Sequence, residues 1–267
     1  MLANYHTHTP RCGHAIGSER QYIERAIEEG FKVLGFSDHT PQPYPRGFVS
    51  HIRMSLSQLP EYVNTLQALK KEYEKKIKIL IGFEAEYSRA YFPLLIKELK
   101  KFPVDYIIQG QHFVPDEVTG FYAGEETENE EDLSSYVDLT IEGMQTGLFS
   151  YLAHPDLINY IGKEEIFCKH MSRLVEASIK CKVPLEVNML GFISGRHYPT
   201  STFFKLAAKM GASFIIGCDA HKPGAIRQAE RDPAFMAFLA DCGISVGDNL
   251  LSDRFSIFKA NTSSSNF

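Results

Sequence analysis

The chain has no tryptophan among its 267 residues and only five cysteines, Cys12, Cys168, Cys181, Cys218 and Cys242. They are odd in number, scattered, and free of any Cys-x-x-Cys pair. That excludes a disulfide framework and points to reduced thiols in a cytoplasmic protein. Positive charge is also short, with 28 Lys and Arg against 33 Asp and Glu for a net charge of −5. Without a basic stripe, neither a nucleic-acid partner nor a membrane surface is expected. No apolar run approaches the ~18 residues that span a bilayer, and the opening residues lack a basic-then-apolar leader. No Gly/Ser-rich linker divides the chain, so one domain is expected. A chain of this length buries roughly three quarters of its extended surface and needs no covalent staple.

What is present is alternation. Runs rich in Val, Ile, Phe and Tyr fall at 2–8, 32–39, 78–86, 105–113, 149–155, 184–190 and 213–221. Several are apolar throughout, as strands covered on both faces are. Stretches of helical period lie between them. Ser18-Glu-Arg-Gln21 reads as a capping box, with Gly30 as the stop. Further helices are expected from about Ser57 and over 91–101, 132–147, 164–181 and 201–210. The acidic run Glu125–Asp132 reads as a solvated loop entering a helix, and the polar tail over about 256–267 as a frayed end. Strand then helix, repeated, implies an α/β fold with parallel strands and crossover helices. A doubly wound sheet and a barrel both satisfy this pattern, and seven units favour the barrel.

The ligand chemistry gathers at the strand ends. The first strand ends in His6 and His8 with His14 just beyond, the second in Asp38-His39, and the third in Glu84 and Glu86. The fourth ends in Gln111-His112, the fifth in His154-Pro-Asp156, the sixth carries Glu186 and Asn188, and the seventh ends in Asp219 and His221. In parallel β/α folds that end is where the loops converge and active sites form. Seven of the ten histidines join the pattern, with His51, His170 and His197 outside it. His6/His8, Glu84/Glu86 and Asp219/His221 are i, i+2 pairs, able to aim two groups from one strand face. One such pair is commonly accidental, but seven strand ends in agreement indicate metal. Imidazole and carboxylate suit zinc, iron or manganese, and so many ligands exceed the needs of one ion.

These motifs, in this order along nearly the whole chain, resemble the PHP family, named for polymerase and histidinol phosphatase. The matching segments are HxH, a distant His14, S-D-H, G-x-E-A, Q-H-F, A-H-P-D and D-A-H. The resemblance implies a distorted seven-stranded (β/α) barrel holding three divalent ions. His6, His8, Glu84 and Asp219 would hold the first. Glu84 would bridge to a second held by His112 and His154, and His14, His39 and His221 would hold the third. Cys12 lies close enough to be a stray ligand and reads first as a small semi-buried thiol. "HTHTPRCGHA", "GFEAEY" and "EVN" before a G-R-x-Y-P segment resemble the branch that hydrolyses L-histidinol phosphate in histidine biosynthesis. The implied reaction is attack on phosphorus by a hydroxide bridging two metals.

Around that centre, Glu84, Asp219, Asp38 and His197 form the expected catalytic set. Asp38 would support a metal histidine, and His197 would protonate the leaving alkoxide. Arg196, Glu86, Asn188, Glu186 and Tyr44 are the expected substrate and phosphate contacts, Arg196 as a bidentate grip on phosphate oxygens. The proline-rich loop 40–55, with Tyr44, Arg46, Phe48, His51 and Arg53, reads either as a cover over the substrate or as packing. The expected partner is a small phosphomonoester. Two alternatives stay open: a phosphoesterase of the same family acting on nucleotides or nucleic-acid ends, and a non-catalytic metal-binding module.

Overall fold

A computed structural model of the chain describes residues 1–251; the tail expected to fray over about 256–267 lies outside them. The first half of the chain runs β1 (Ala3–Asn4), α1 (Glu19–Glu28), β2 (Val33–His39), α2 (Leu59–Glu72), β3 (Lys78–Ala85), α3 (Phe92–Leu99) and β4 (Tyr106–Gln109). A hairpin of β5 (Phe113–Val114) and β6 (Phe121–Tyr122) follows. Then come α4 (Glu130–Gln145), α5 (Glu164–Cys181), β7 (Leu185–Asn188), α6 (Met189–Ile193), α7 (Ser201–Met210), β8 (Phe214–Gly217) and α8 (Pro233–Asp241).

The helices begin and end where local chemistry directs. Ser18 and Gln21 cap α1 reciprocally, each side chain accepting from the other's backbone N–H. The acidic run enters α4, where Asn129 caps and Glu130, Glu131 and Asp132 occupy the first turn, the end at which the helix dipole favours negative charge. Thr200 caps α7 and Gly211 closes it at φ 86°.

Strands β1 to β4 pair in parallel in chain order, and β7 pairs in parallel with β8. The fifth expected strand, 149–155, forms no ladder. It contributes Leu152, whose single parallel bridges to Gln109 and Leu185 link the two pieces of sheet. One more parallel bridge, Thr7 to Ala220, brings the first segment to the last. The result is a curled, partly open parallel sheet with helices outside it.

The core divides across this curl. Ala3, Tyr5, Val33, Leu80, Tyr106, Ile108, Tyr151, Ala153 and Ile215 form one buried cluster drawn from strands all around the sheet. A larger cluster holds the helix residues and the remaining strand residues. Tyr106 fills the inner cluster, its hydroxyl donating to the carbonyls of Tyr5 (2.6 Å) and Phe36 (3.1 Å). Its ring lies where side chains at 35 and 82 would stand, so both positions are glycine. Beyond this plug, Gly82 and Glu84 continue the face that Leu80 begins. Among the described residues, no helix is long and apolar enough to cross a membrane.

Candidate metal centre

Glu84 stands at the middle of the strand ends, 1% exposed, with imidazoles on both sides. Its Oε1 lies 2.8 Å from His154 Nε2 and 3.5 Å from His112 Nε2. Its Oε2 lies 3.1 Å from His39 Nδ1, 3.4 Å from His6 Nε2 and 3.5 Å from His8 Nε2. Asp219 Oδ1 completes the cluster, 3.1 Å from His8 Nε2 and 3.4 Å from His6 Nε2. Two of these groups are aimed inward by unusual backbone: His154 has φ 30° and Asp219 φ 48°. Both lie in the left-handed region that side chains ordinarily avoid, a strain that concentrates at functional sites.

Five triads bring ligand atoms within 4.8 Å of one another: His6/His8/Asp219, His6/Glu84/His154, His8/His39/Glu84, His14/His39/His221 and His8/Cys12/His221. All the expected ligands except His112 occur in them, and His112 approaches Glu84 directly. The fifth triad brings in Cys12, read from the sequence as a stray ligand or a semi-buried thiol; the structure buries it beside His8 and His221.

The tautomers are set from behind. His6 Nδ1 meets Glu186 Oε1 at 2.7 Å and His112 Nδ1 meets Glu86 Oε1 at 3.0 Å. His14 Nδ1 meets the Cys12 carbonyl at 3.0 Å, and His221 Nδ1 the Asp219 carbonyl at 3.1 Å. An Nδ1 that donates to an oxygen leaves Nε2 with a lone pair. His14 Nε2 and His221 Nε2 thus lie 3.0 Å apart, a spacing that also lets both serve one ion from neighbouring coordination positions. His6 Nε2, both nitrogens of His8, His39 Nδ1, Glu84 Oε2 and Asp219 Oδ1 are buried without a hydrogen bond. Orphaned imidazole nitrogens and carboxylate oxygens fit divalent ions of the zinc, iron or manganese type.

The field of the cluster agrees. Burial raises the Glu84 carboxyl, but His39, His112 and His6 drive it well below its ordinary 4.5. Burial opposes charge on His6, yet Asp219, Glu186 and Glu84 raise it well above 6.5. Burial and the charge of His8 push His221 down to about 3, so it offers a neutral ring at physiological pH.

The other expected site residues divide. Arg196 lines the same cavity of about 460 Å³ as Glu84, Asp219, His112 and His221. Its NH1 donates to the Tyr198 hydroxyl at 2.7 Å. Asp38 sits behind, its Oδ1 accepting from His39 N at 2.8 Å and lying 3.5 Å from His8 Nδ1. Glu186 and Asn188, expected at the substrate, are fully buried behind the ligands. Glu186 Oε2 accepts from His154 N (3.1 Å) and Asn188 Nδ2 (2.9 Å), and Asn188 Nδ2 also reaches Asp219 Oδ2 (3.1 Å). Glu86 is likewise buried, against His112.

Tyr44 lines a separate cavity beneath its own loop and bonds Glu117 at 3.2 Å. His197 is turned from the mouth: its Nε2 meets the Leu157 carbonyl at 2.7 Å, and it lines a different cleft with Asp156 and Thr200. Phe113, Tyr122, Leu157 and Leu190 wall the mouth instead. Sequence reasoning missed them because aromatic and aliphatic residues carry no mark of a site.

A model of the PHP domain matches residues 4–190. A relative from Deinococcus radiodurans named probable histidinol-phosphatase is 30% identical over 84% of this chain and 88% of its own. A second of the same name, from Schizosaccharomyces pombe, is 30% identical over 84% of this chain and 81% of its own. Among solved structures, the histidinol phosphate phosphatase of Lactococcus lactis, complexed with zinc, L-histidinol and phosphate, superposes with a TM-score of 0.69. It covers 91% of this chain and 94% of its own at 22% identity, a likeness of fold.

Proposed function

The chain belongs to the PHP-domain family, and from that premise we propose that it is a metal-dependent phosphomonoesterase hydrolysing L-histidinol phosphate to L-histidinol and phosphate. The observation that carries the reading is the division of Glu84, one carboxylate oxygen facing His112 and His154 and the other facing His6, His8 and His39. A bridge of this kind serves paired ions. In this proposal His6, His8, Glu84 and Asp219 hold one, Glu84, His112 and His154 the second, and His14, His39 and His221 a third. Taking the single bridges at 109–152, 152–185 and 7–220 as its seams, the same reading makes the sheet a distorted seven-stranded barrel in one domain.

When bound, ions in such a cradle lower the pKa of water and neutralise charge on phosphate oxygens. The chain's own residues do the rest. Glu186 holds His6 from behind by a hydrogen bond, which orients that ligand before substrate arrives, and Asp38 places a carboxylate 3.5 Å from His8 Nδ1. Arg196 keeps donors free beyond its bond to Tyr198, and a guanidinium at the mouth grips phosphate oxygens. Phe113, Tyr122, Leu157 and Leu190 give the mouth flat, apolar walls suited to an imidazole ring. The two relatives' names support this choice of substrate.

Phosphate release by the metal-loaded protein across a panel of phosphomonoesters tests the reading. kcat/KM for L-histidinol phosphate is expected to exceed that for nucleoside monophosphates by about tenfold or more, within what shape and polar contacts supply. A preference for nucleotides would replace this substrate with the alternative one.

A further inference from the structure

Three segments from separate parts of the chain meet at one buried guanidinium. Arg53 comes from the loop after β2, Glu86 directly follows β3, and Glu117 lies in the turn between β5 and β6. The Arg53 side chain is 1% exposed, with NH2 2.7 Å from Glu86 Oε1 and Nε donating to Glu117 Oε2 at 2.7 Å. Glu86 Oε1 also accepts from the backbone N and the Nδ1 of His112, each at 3.0 Å. One oxygen therefore joins a cation to a histidine whose Nε2 faces Glu84 Oε1.

We propose that Arg53 is a positioning residue of the metal centre, acting through Glu86 on His112 and setting the affinity of the ion that His112 holds. The inference rests on the metal-binding reading above. A carboxylate this deeply buried keeps its place only with its charge compensated, and Arg53 supplies that charge. With Arg53 in place, Glu86 holds the Nδ1 proton of His112 and points the Nε2 lone pair at the centre. Loop 40–55 is then neither cover nor passive packing at Arg53; it reaches beneath the site and steadies a ligand. Outer partners of metal histidines are worth about 10–100-fold in metal affinity.

The test is metal content per chain after dialysis against graded chelator, with the visible spectrum of the cobalt-loaded protein as a readout of ligand geometry. Arg53→Met is expected to weaken one ion by about 10–100-fold and to change the cobalt spectrum. Arg53→Lys should recover part of the loss. Glu117→Gln, which removes the charge from the other Arg53 partner, should keep all ions at wild-type affinity. If Arg53→Met does not fold, the double variant Arg53→Met/Glu86→Gln removes the unpaired charge and is measured in its place.

Wild-type protein that holds no metal would overturn the metal reading itself. Wild-type protein that holds its metals, beside an Arg53→Met or double variant that holds them equally well, would overturn this inference alone. So would Glu117→Gln losing the same ion, because the effect would then be a general loosening of the loop.

Discussion

Glu84 and His6 hold opposite charges in a buried place that suits neither alone, and this makes the pH behaviour of the metal-free protein predictable. Glu84 and Asp219 are depressed by their histidine neighbours, so their contribution to stability is present above their ordinary values of 4.5 and 3.8 and is lost as pH falls through the folded values. His6 and His8 are raised against the cost of burial, chiefly by the carboxylates around them. Their contribution is complete below 6.5 and is lost as pH rises through the folded values. Chelated protein should therefore lose thermal stability as pH climbs from about 6.5 into the alkaline range. Metal-loaded protein should hold its ions more tightly over the same range, because uptake displaces protons from His6 and His8. Melting temperature against pH, with and without chelator, checks both, and parallel curves would contradict the account. The identities of the groups in this cluster were legible in the sequence, because strand ends mark themselves. Depth was not: Glu186 and Asn188 share the inward face but lie behind the ligands, and period-two reasoning assigns a face without a level. Nor does any residue pattern announce the positive φ of His154 and Asp219.

At the scale of elements, the strands hold the site by lying close. A Cβ at Gly110, at the end of β4, would run into the Glu84 carboxylate, and one at Gly217 into that of Glu186. Gly110→Ala should therefore displace Glu84, lowering metal content and activity together. The chelated variant should melt within a few degrees of wild type, because the crowded atoms end a side chain. Full metal content in this variant would show that Glu84 has room to spare. Six of the seven expected strand runs appear as ladders, if shorter, because an apolar run with a polar end survives any local irregularity. The hairpin of β5 and β6 was not legible, with two residues on each strand and nothing to alternate. Helix α8 was missed for another reason: only Phe235 and Leu239 are buried, so its apolar residues draw no continuous stripe.

Over the whole molecule, the centre is assembled from both ends of the chain. His6 and His8 enter beside Asp219 and His221 through the Thr7–Ala220 bridge, secured by His8 N to Ala220 O (3.0 Å) and Ala220 N to His6 O (3.2 Å). Leu2 N bonds Asp248 O at 2.8 Å nearby. The order of the strands was readable from alternation, but their meeting was not, since it depends on how far the sheet curls. A site built this way ties metal binding to the docking of distant segments, so filling it also stabilises the fold. The most direct measurement is phosphate release from L-histidinol phosphate as metal equivalents are returned one at a time to the chelated protein. No release is expected without metal, then a rise as the Glu84-bridged pair fills, and a plateau at about three equivalents. Undiminished release from the metal-free protein, or none at any loading, would contradict this reading.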